Sequence, residues 1–265
     1  LSEPRRFPCE NARRVEAFRN CDDKVGMLVV NHYSRSAVGF DKIYIYTGDR
    51  DGYRADRRLE LPGWCAVDTL SADLDDDGWT ELVVCNNSEN SLHLDPGHFI
   101  HHFGPGGFDP GRTQRLKTDL GWGCACGGFQ HTGYLDLATP CSNWENIRIF
   151  KNGPDGFCCS YDIDLHGTGS TRWILAADLD RNGWLDLIVP LIDADRTLIF
   201  NGGPDGFSWG NHYELAVLGG VCARVADLNG NGWPDLIIGT HTQTATNGEL
   251  KPHQPHHSYL HIYWN

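Results

Sequence analysis

Asp73-Leu74-Asp75-Asp76-Asp77-Gly78-Trp79-Thr80-Glu81-Leu82 is the stretch on which the fold turns, because it recurs. Relatives stand at Gly128 to Asp136 (with Gln130, Thr132, Gly133 and Tyr134), at Asp178 to Asp186 (Asp180, Asn182, Gly183, Trp184) and at Asp227 to Asp235 (Asn229, Asn231, Gly232, Trp233). Their first positions are 73, 128, 178 and 227, so the steps are 55, 50 and 49 residues. A period of that size overrides what length alone suggests and predicts one repeat architecture over residues 1–265.

Each acidic loop lies between short apolar segments, such as Cys65-Ala66-Val67 before it and Leu82-Val83-Val84-Cys85 after it. Those are strand lengths. A third strand is predicted in every unit, at Ile43–Tyr46, Ser91–Leu94, Ile147–Phe150, Thr197–Phe200 and Leu260–Trp264. Gly-rich turns follow, two of them spelling Gly-Pro-Asp-Gly-Phe at 153–157 and 203–207. Pro presets one backbone angle of such a turn and Gly accepts the positive one. A fourth strand then ends near Leu59, Lys117, Asp164 and Leu215.

Tandem four-stranded antiparallel units of this size predict an all-β fold, a β-propeller. The units are about 10–59, 60–118, 119–165, 166–215 and 216–265, the first carrying an eroded loop at Asn20-Cys21-Asp22-Asp23. Residues 1–9 are expected to supply the fourth strand that the last unit lacks, closing five blades. The competing expectation is a piece of a propeller of six to eight blades.

Composition narrows the function. A formal charge of -13 without Lys/Arg clusters excludes a nucleic-acid face. No apolar run is long enough to span a membrane, and the first residues of this chain lack a secretion signal. Ten cysteines without a C-x-x-C pair leave disulfides or buried thiols open, Cys85 and Cys222 being read as buried.

The loops and strands resemble the FG-GAP/VCBS repeat family, which includes the propeller of integrin α-subunits, some secreted lectins and bacterial surface proteins. The resemblance implies calcium in the acidic loops, held by side chains at positions 1, 3, 5 and 9 and the carbonyl of position 7. Chemistry asks for the same, since Ca²⁺ takes six to eight oxygens and Gly at position 6 permits the sharp turn. Loop A would then use Asp73, Asp75, Asp77, Trp79 and Glu81. Loop B would use Asp178, Asp180, Asn182, Trp184 and Asp186; loop C, Asp227, Asn229, Asn231, Trp233 and Asp235. Up to three structural Ca²⁺ ions are expected, tightest at loop A, while the second copy has lost its ion.

Ligand binding is expected on the opposite, variable loops, where a rigid scaffold carries function. Candidates are Tyr33, Arg35, Trp64, Glu89, Trp122, Asn143, Trp144, Arg172, Trp173 and Asp193, because sugar rings stack on aromatic faces and pair their hydroxyls with planar polar groups. Asn86 and Asn87 share that surface, and the His-rich stretch 241–257 reads as a solvated loop.

No nucleophile elbow, H-E-x-x-H or phosphate loop is present, so an enzyme is not expected. The expectation is an extracellular or cell-surface binding propeller for a glycan or protein partner. The alternatives are an assembly module, homo-oligomeric or within a longer chain, and a polysaccharide-cleaving enzyme using Glu89 and Glu145.

Overall fold

The computed structural model describes residues 4–19, 25–32, 41–87, 95–141, 145–241 and 258–265. They are all-β, a single 3₁₀ turn at Pro110–Arg112 being the only helix among them. The chain divides into two compact units, Leu1–Trp122 and Gly123–Asn265. The division falls close to an expected repeat boundary.

The first unit holds two four-stranded antiparallel sheets. Sheet one is β1 (Ala12–Arg19), β2 (Val25–Asn31), β3 (Lys42–Thr47) and β4 (Arg58–Pro62) in chain order. Sheet two is β5 (Ala66–Ala72), β6 (Glu81–Asn86), β7 (His98–His101) and, beyond the ribbon β8 (Phe103–Gly104) and β9 (Gly107–Phe108), β10 (Gln114–Leu116). Its third strand is therefore His98–His101; the expected Ser91–Leu94 lies outside the described residues.

Alternation explains the packing. Leu28, Val30, Ile43, Ile45 and Leu61 of sheet one meet Ala66, Leu82 and Val84 of sheet two, with Phe99, Phe103 and Phe108 at the margin. The first strands run side by side, tied by Arg14 to Asp68 (2.9 Å) and by the Ser71 hydroxyl donating to Glu16 (2.6 Å). The far face of sheet one, Val29, Tyr44 and Tyr46, is covered by Phe7 and Tyr53.

Residues 4–9 carry no strand. Phe7 meets the Tyr46 ring edge-on at 5.1 Å, and the Tyr46 hydroxyl donates to the Pro8 carbonyl. The fourth strand assigned to residues 1–9 is thus absent over 4–9, because burying Phe7 on the first sheet holds this segment there. Residues 1–3 lie outside the described set.

The second unit holds three sheets. Sheet three is β11 (Ala125–Gly127), β12 (Asp136–Cys141), β13 (Asn146–Lys151) and β14 (Cys159–Asp164). Sheet four is β15 (Leu175–Ala177), β16 (Asp186–Pro190), β17 (Arg196–Phe200) and β18 (His212–Ala216); sheet five has, among the described residues, β19 (Gly220–Ala226), β20 (Asp235–Thr240) and β21 (Leu260–Tyr263).

Sheet four is apolar on both faces, as its unbroken runs Leu187-Ile188-Val189 and Leu198-Ile199-Phe200 require. Leu187, Val189, Leu198 and Phe200 pack toward Ile147, Ile149 and Ile163 of sheet three. Ile188 and Ile199 point the other way, to Ala223, Leu236 and Ile238 of sheet five. Cys222 lies on the exposed side of β19, correcting its reading as buried, whereas Cys85 is fully buried. The period-2 alternation of β19 decides this, since Ala223 takes the core face.

In β7, His101 is buried between the edges of Phe99 and Phe108 and contacts the Pro62 carbonyl through Nε2 at 3.0 Å. Burial, against the pull of that carbonyl, lowers its pKa from 6.5 to about 4. The folded value lies below the unfolded one. The stability this carries is therefore complete above pH 6.5 and is lost as pH falls toward 4, about 2 kcal/mol by pH 4.5. Replacing His101 with Gln should flatten the decline of unfolding free energy between pH 7 and 4.5 by that amount in urea titrations; parallel curves would contradict the assignment.

Candidate metal centres

The acidic loops share one hydrogen-bond scheme. The carboxylate at position 1 accepts the N–H groups of positions 5 and 6: Asp73 from Asp77 and Gly78 (3.1 and 2.9 Å), Asp178 from Asn182 and Gly183 (3.1 and 2.9 Å), Asp227 from Asn231 and Gly232 (3.1 and 2.8 Å). Position 5 accepts from position 7, as Asp77 does from Trp79, Asn182 from Trp184 and Asn231 from Trp233. Position 9 reaches back to the N–H of position 2, pairing Glu81 with Leu74, Asp186 with Leu179 and Asp235 with Leu228. These bonds draw the side chains inward.

Winding that tightly needs two left-handed residues. Gly occupies position 6 with φ of 85, 91 and 86° in loops A, B and C, and position 4 is also left-handed at Asp76, Arg181 and Gly230 (59, 58 and 74°). Gly bears such angles without the side-chain penalty other residues meet.

Ligand atoms of Asp73, Asp75 and Asp77, and those of Asp178, Asp180 and Asp186, each lie within 4.8 Å of one another. Asp75 Oδ1 and Glu81 Oε1 are buried without a hydrogen-bond partner. Orphaned acceptors among clustered carboxylates fit a cation, since a buried charge is costly unless paired. Burial pushes the Asp186 carboxyl above its ordinary range, and Asp180 and Asp178 add to the push against the N–H groups of Gly202 and Leu179. Loop C has two carboxylates, and its Asn231 amide donates to the Asn265 carbonyl (2.9 Å).

The second copy answers its carboxylate differently. The Gln130 side-chain amide donates to Asp136 Oδ1 at 2.9 Å, beside the N–H of Asn152 at 2.8 Å. An uncharged donor stands where loops A and B offer an acid, Asp75 and Asp180. Burial still raises the Asp136 pKa, those two bonds opposing it.

Loops of the second unit also touch in series. His131, at position 4 of the decayed copy, stacks on Trp184 of loop B (3.8 Å, 7°), with Nε2 3.1 Å from the Gly183 carbonyl. Arg181, at position 4 of loop B, lies over Trp233 of loop C and donates to the Gly232 carbonyl at 3.1 Å. Sequence reading missed both, because position 4 varies among copies. His102, which by sequence reads as part of an ordinary variable strand or loop, and Arg112 approach loop A from the far end of β7 and from the 3₁₀ turn.

Several variable-surface candidates are struts. Asp193 accepts the Ser170 N–H and hydroxyl (2.7 and 2.8 Å). Asn86 accepts the Trp64 N–H (2.8 Å) and donates to Gly97, while Asn87 donates to Leu120 and Gly121. Trp122 is 2% exposed with the Arg13 guanidinium over its ring, so it offers no open face for stacking. Trp64, Arg172 and Trp173 are half-buried and Glu145 is exposed. Tyr33, Arg35, Glu89, Asn143 and Trp144, with the eroded loop at 20–23 and the His-rich residues 242–257, lie outside the described residues.

No protein-family model and no curated protein matches this sequence. Among solved structures the chain is similar to an Agrocybe aegerita lectin described as specifically recognising non-reducing terminal N-acetylglucosamine, at 15% identity and a TM-score of 0.48. The likeness covers 89% of this chain and 64% of that chain, so this chain spans less than two thirds of its neighbour's length.

Gln130→Ala should cost about 1 to 2 kcal/mol by leaving Asp136 short of a donor. Gln130→Glu should cost more at pH 7 than at pH 5. Two facing carboxylates raise each other's pKa, so their stability is present in acid and lost as pH rises. Urea unfolding at the two pH values reads both effects, and an equal cost at both would argue against the contact.

Proposed function

We propose that this chain is a cation-braced β-propeller module that binds a glycan through its variable loops. The observation that carries the first part is the convergence of carboxylates in loops A and B, with buried acceptors of loop A left unanswered by any N–H. Loops B and C offer only oxygen donors, which suits Ca²⁺; loop A takes a divalent cation. The ions brace strand 1 to strand 2. Exposed loops with few carboxylates bind weakly and fill where calcium is about millimolar, which favours an extracellular or cell-surface setting.

The side-by-side first strands within each unit support reading the sheets as blades, with the acidic loops on one face and the loops from strand 4 to the next strand 1 on the other. In the first unit that second face keeps half-buried Trp64, and in the second unit half-buried Arg172 and Trp173. A half-buried indole with an arginine next to it in sequence supports stacking of a sugar ring with hydrogen bonds to its hydroxyls. Binding is preferred to catalysis because the sequence carries no nucleophile elbow, H-E-x-x-H or phosphate loop.

A second reading, an assembly module, draws on sheet five. β21 has one strand neighbour among the described residues, and Tyr259, Leu260, Ile262 and Trp264 are 72, 65, 40 and 62% exposed. Sedimentation separates the readings, since concentration-dependent association lost on Ile262→Lys belongs to assembly alone.

A strong chelator should lower the melting temperature by about 5 °C or more, with recovery on adding Ca²⁺ and a smaller response in Asp186→Asn. An unchanged melt would remove the brace. On a glycan array, Trp173→Ala should lose binding while its melting temperature holds; silence of the parent protein across the array would end the glycan reading.

A further inference from the structure

Loop A differs from its sisters where strand 3 ends. In the other copies the chain following that strand turns a backbone N–H onto the position 9 carboxylate: Asn152 to Asp136 (2.8 Å), Gly202 to Asp186 (2.9 Å) and Asn265 to Asp235 (3.0 Å). After β7, where Leu82 pairs with His101, the corresponding residue is Phe103, and Glu81 Oε1 receives no hydrogen bond. Nδ1 of His102 stands 3.5 Å from it instead. Glu81 is fully buried at 0% exposure, so this orphaned oxygen faces the interior of the loop.

Asp75 completes the group. Its Oδ2 lies 4.0 Å from His102 Nδ1 and accepts from Arg112 at 2.9 Å, while its Oδ1 is buried and unbonded. Ligand atoms of Asp75, Glu81 and His102 fall within 4.8 Å of one another. Bonds of about 2.1 Å place two ligands of one ion roughly 3 to 4.2 Å apart. Calcium takes oxygen, whereas imidazole beside carboxylates suits first-row transition ions.

We infer that loop A is a mixed nitrogen and oxygen site for a divalent transition cation, with His102 as its imidazole ligand beside Asp75 and Glu81. This rests on the reading that the acidic loops hold cations. Arg112 occupies Asp75 Oδ2 and leaves Oδ1 to the ion; it also lies 3.6 Å from Asp77, offsetting part of the negative charge that attracts the ion. It is a tuning residue and not a ligand.

Co²⁺ titration of the full chain, followed by visible absorption, tests this. The parent should develop bands of nitrogen and oxygen coordination, displaced by Zn²⁺, and His102→Ala should weaken the Co²⁺ affinity of that site by about tenfold or more. His102→Gln guards against misfolding, because it keeps size and polarity and should lose the bands while melting like the parent. Arg112→Ala should tighten Co²⁺ binding. Equilibrium dialysis with Ca²⁺ separates the two readings. Ca²⁺ bound at loops B and C with a Co²⁺ response indifferent to His102 overturns the transition-metal site alone, whereas failure to bind either ion overturns both.

Discussion

One buried carboxylate at the start of each second strand holds the repeat together. In loops A, B and C it accepts the N–H of position 2 across the acidic loop, and in three of the four copies it accepts an N–H from the end of strand 3. Strand 1, strand 2 and strand 3 therefore meet on a single side chain. Such a group is expensive to desolvate unless its charge is answered. The four copies answer it in different ways: through acidic neighbours poised for a cation, through Gln130, or with His102 beside Glu81.

The sheets transmit that anchoring outward. Consecutive apolar residues in β16 and β17 face opposite cores, so sheet four serves as a wall for both neighbours in its unit. The fourth strands are more polar, and pairs such as Arg148 with Asp162 and Arg196 with Glu214 lie across the outer strands. Exposed pairs of this kind add little stability, yet charge at a sheet edge discourages pairing with other chains.

The repeats themselves were legible because their signals are local. Alternation placed β3, β13, β17 and β21 to within a residue, and the Asx ladder marked the three loops. Local signals end where tertiary contact decides. Phe7 settles residues 4–9 on the first sheet, the third strand of sheet two is His98–His101, and Cys222 is turned outward by the register of β19. Asp193, Asn86 and Asn87 looked like ligand-binding groups by type, but only their partners reveal them as ties between loops. His102 was unreadable for the same reason, since nothing in its neighbourhood along the chain joins it to Glu81.

The contacts of His131 on Trp184 and Arg181 on Trp233 give the aromatic at position 7 a purpose separate from the carbonyl beneath it. Ion coordination asks nothing of that side chain. Its ring is a landing platform for the preceding repeat, so each repeat in this unit has a leading side that reaches and a trailing side that receives. Repeats of this kind are not interchangeable parts: a duplicated or transplanted copy must match the hand of the one before it and the platform of the one after, and the order of copies becomes inherited information in its own right.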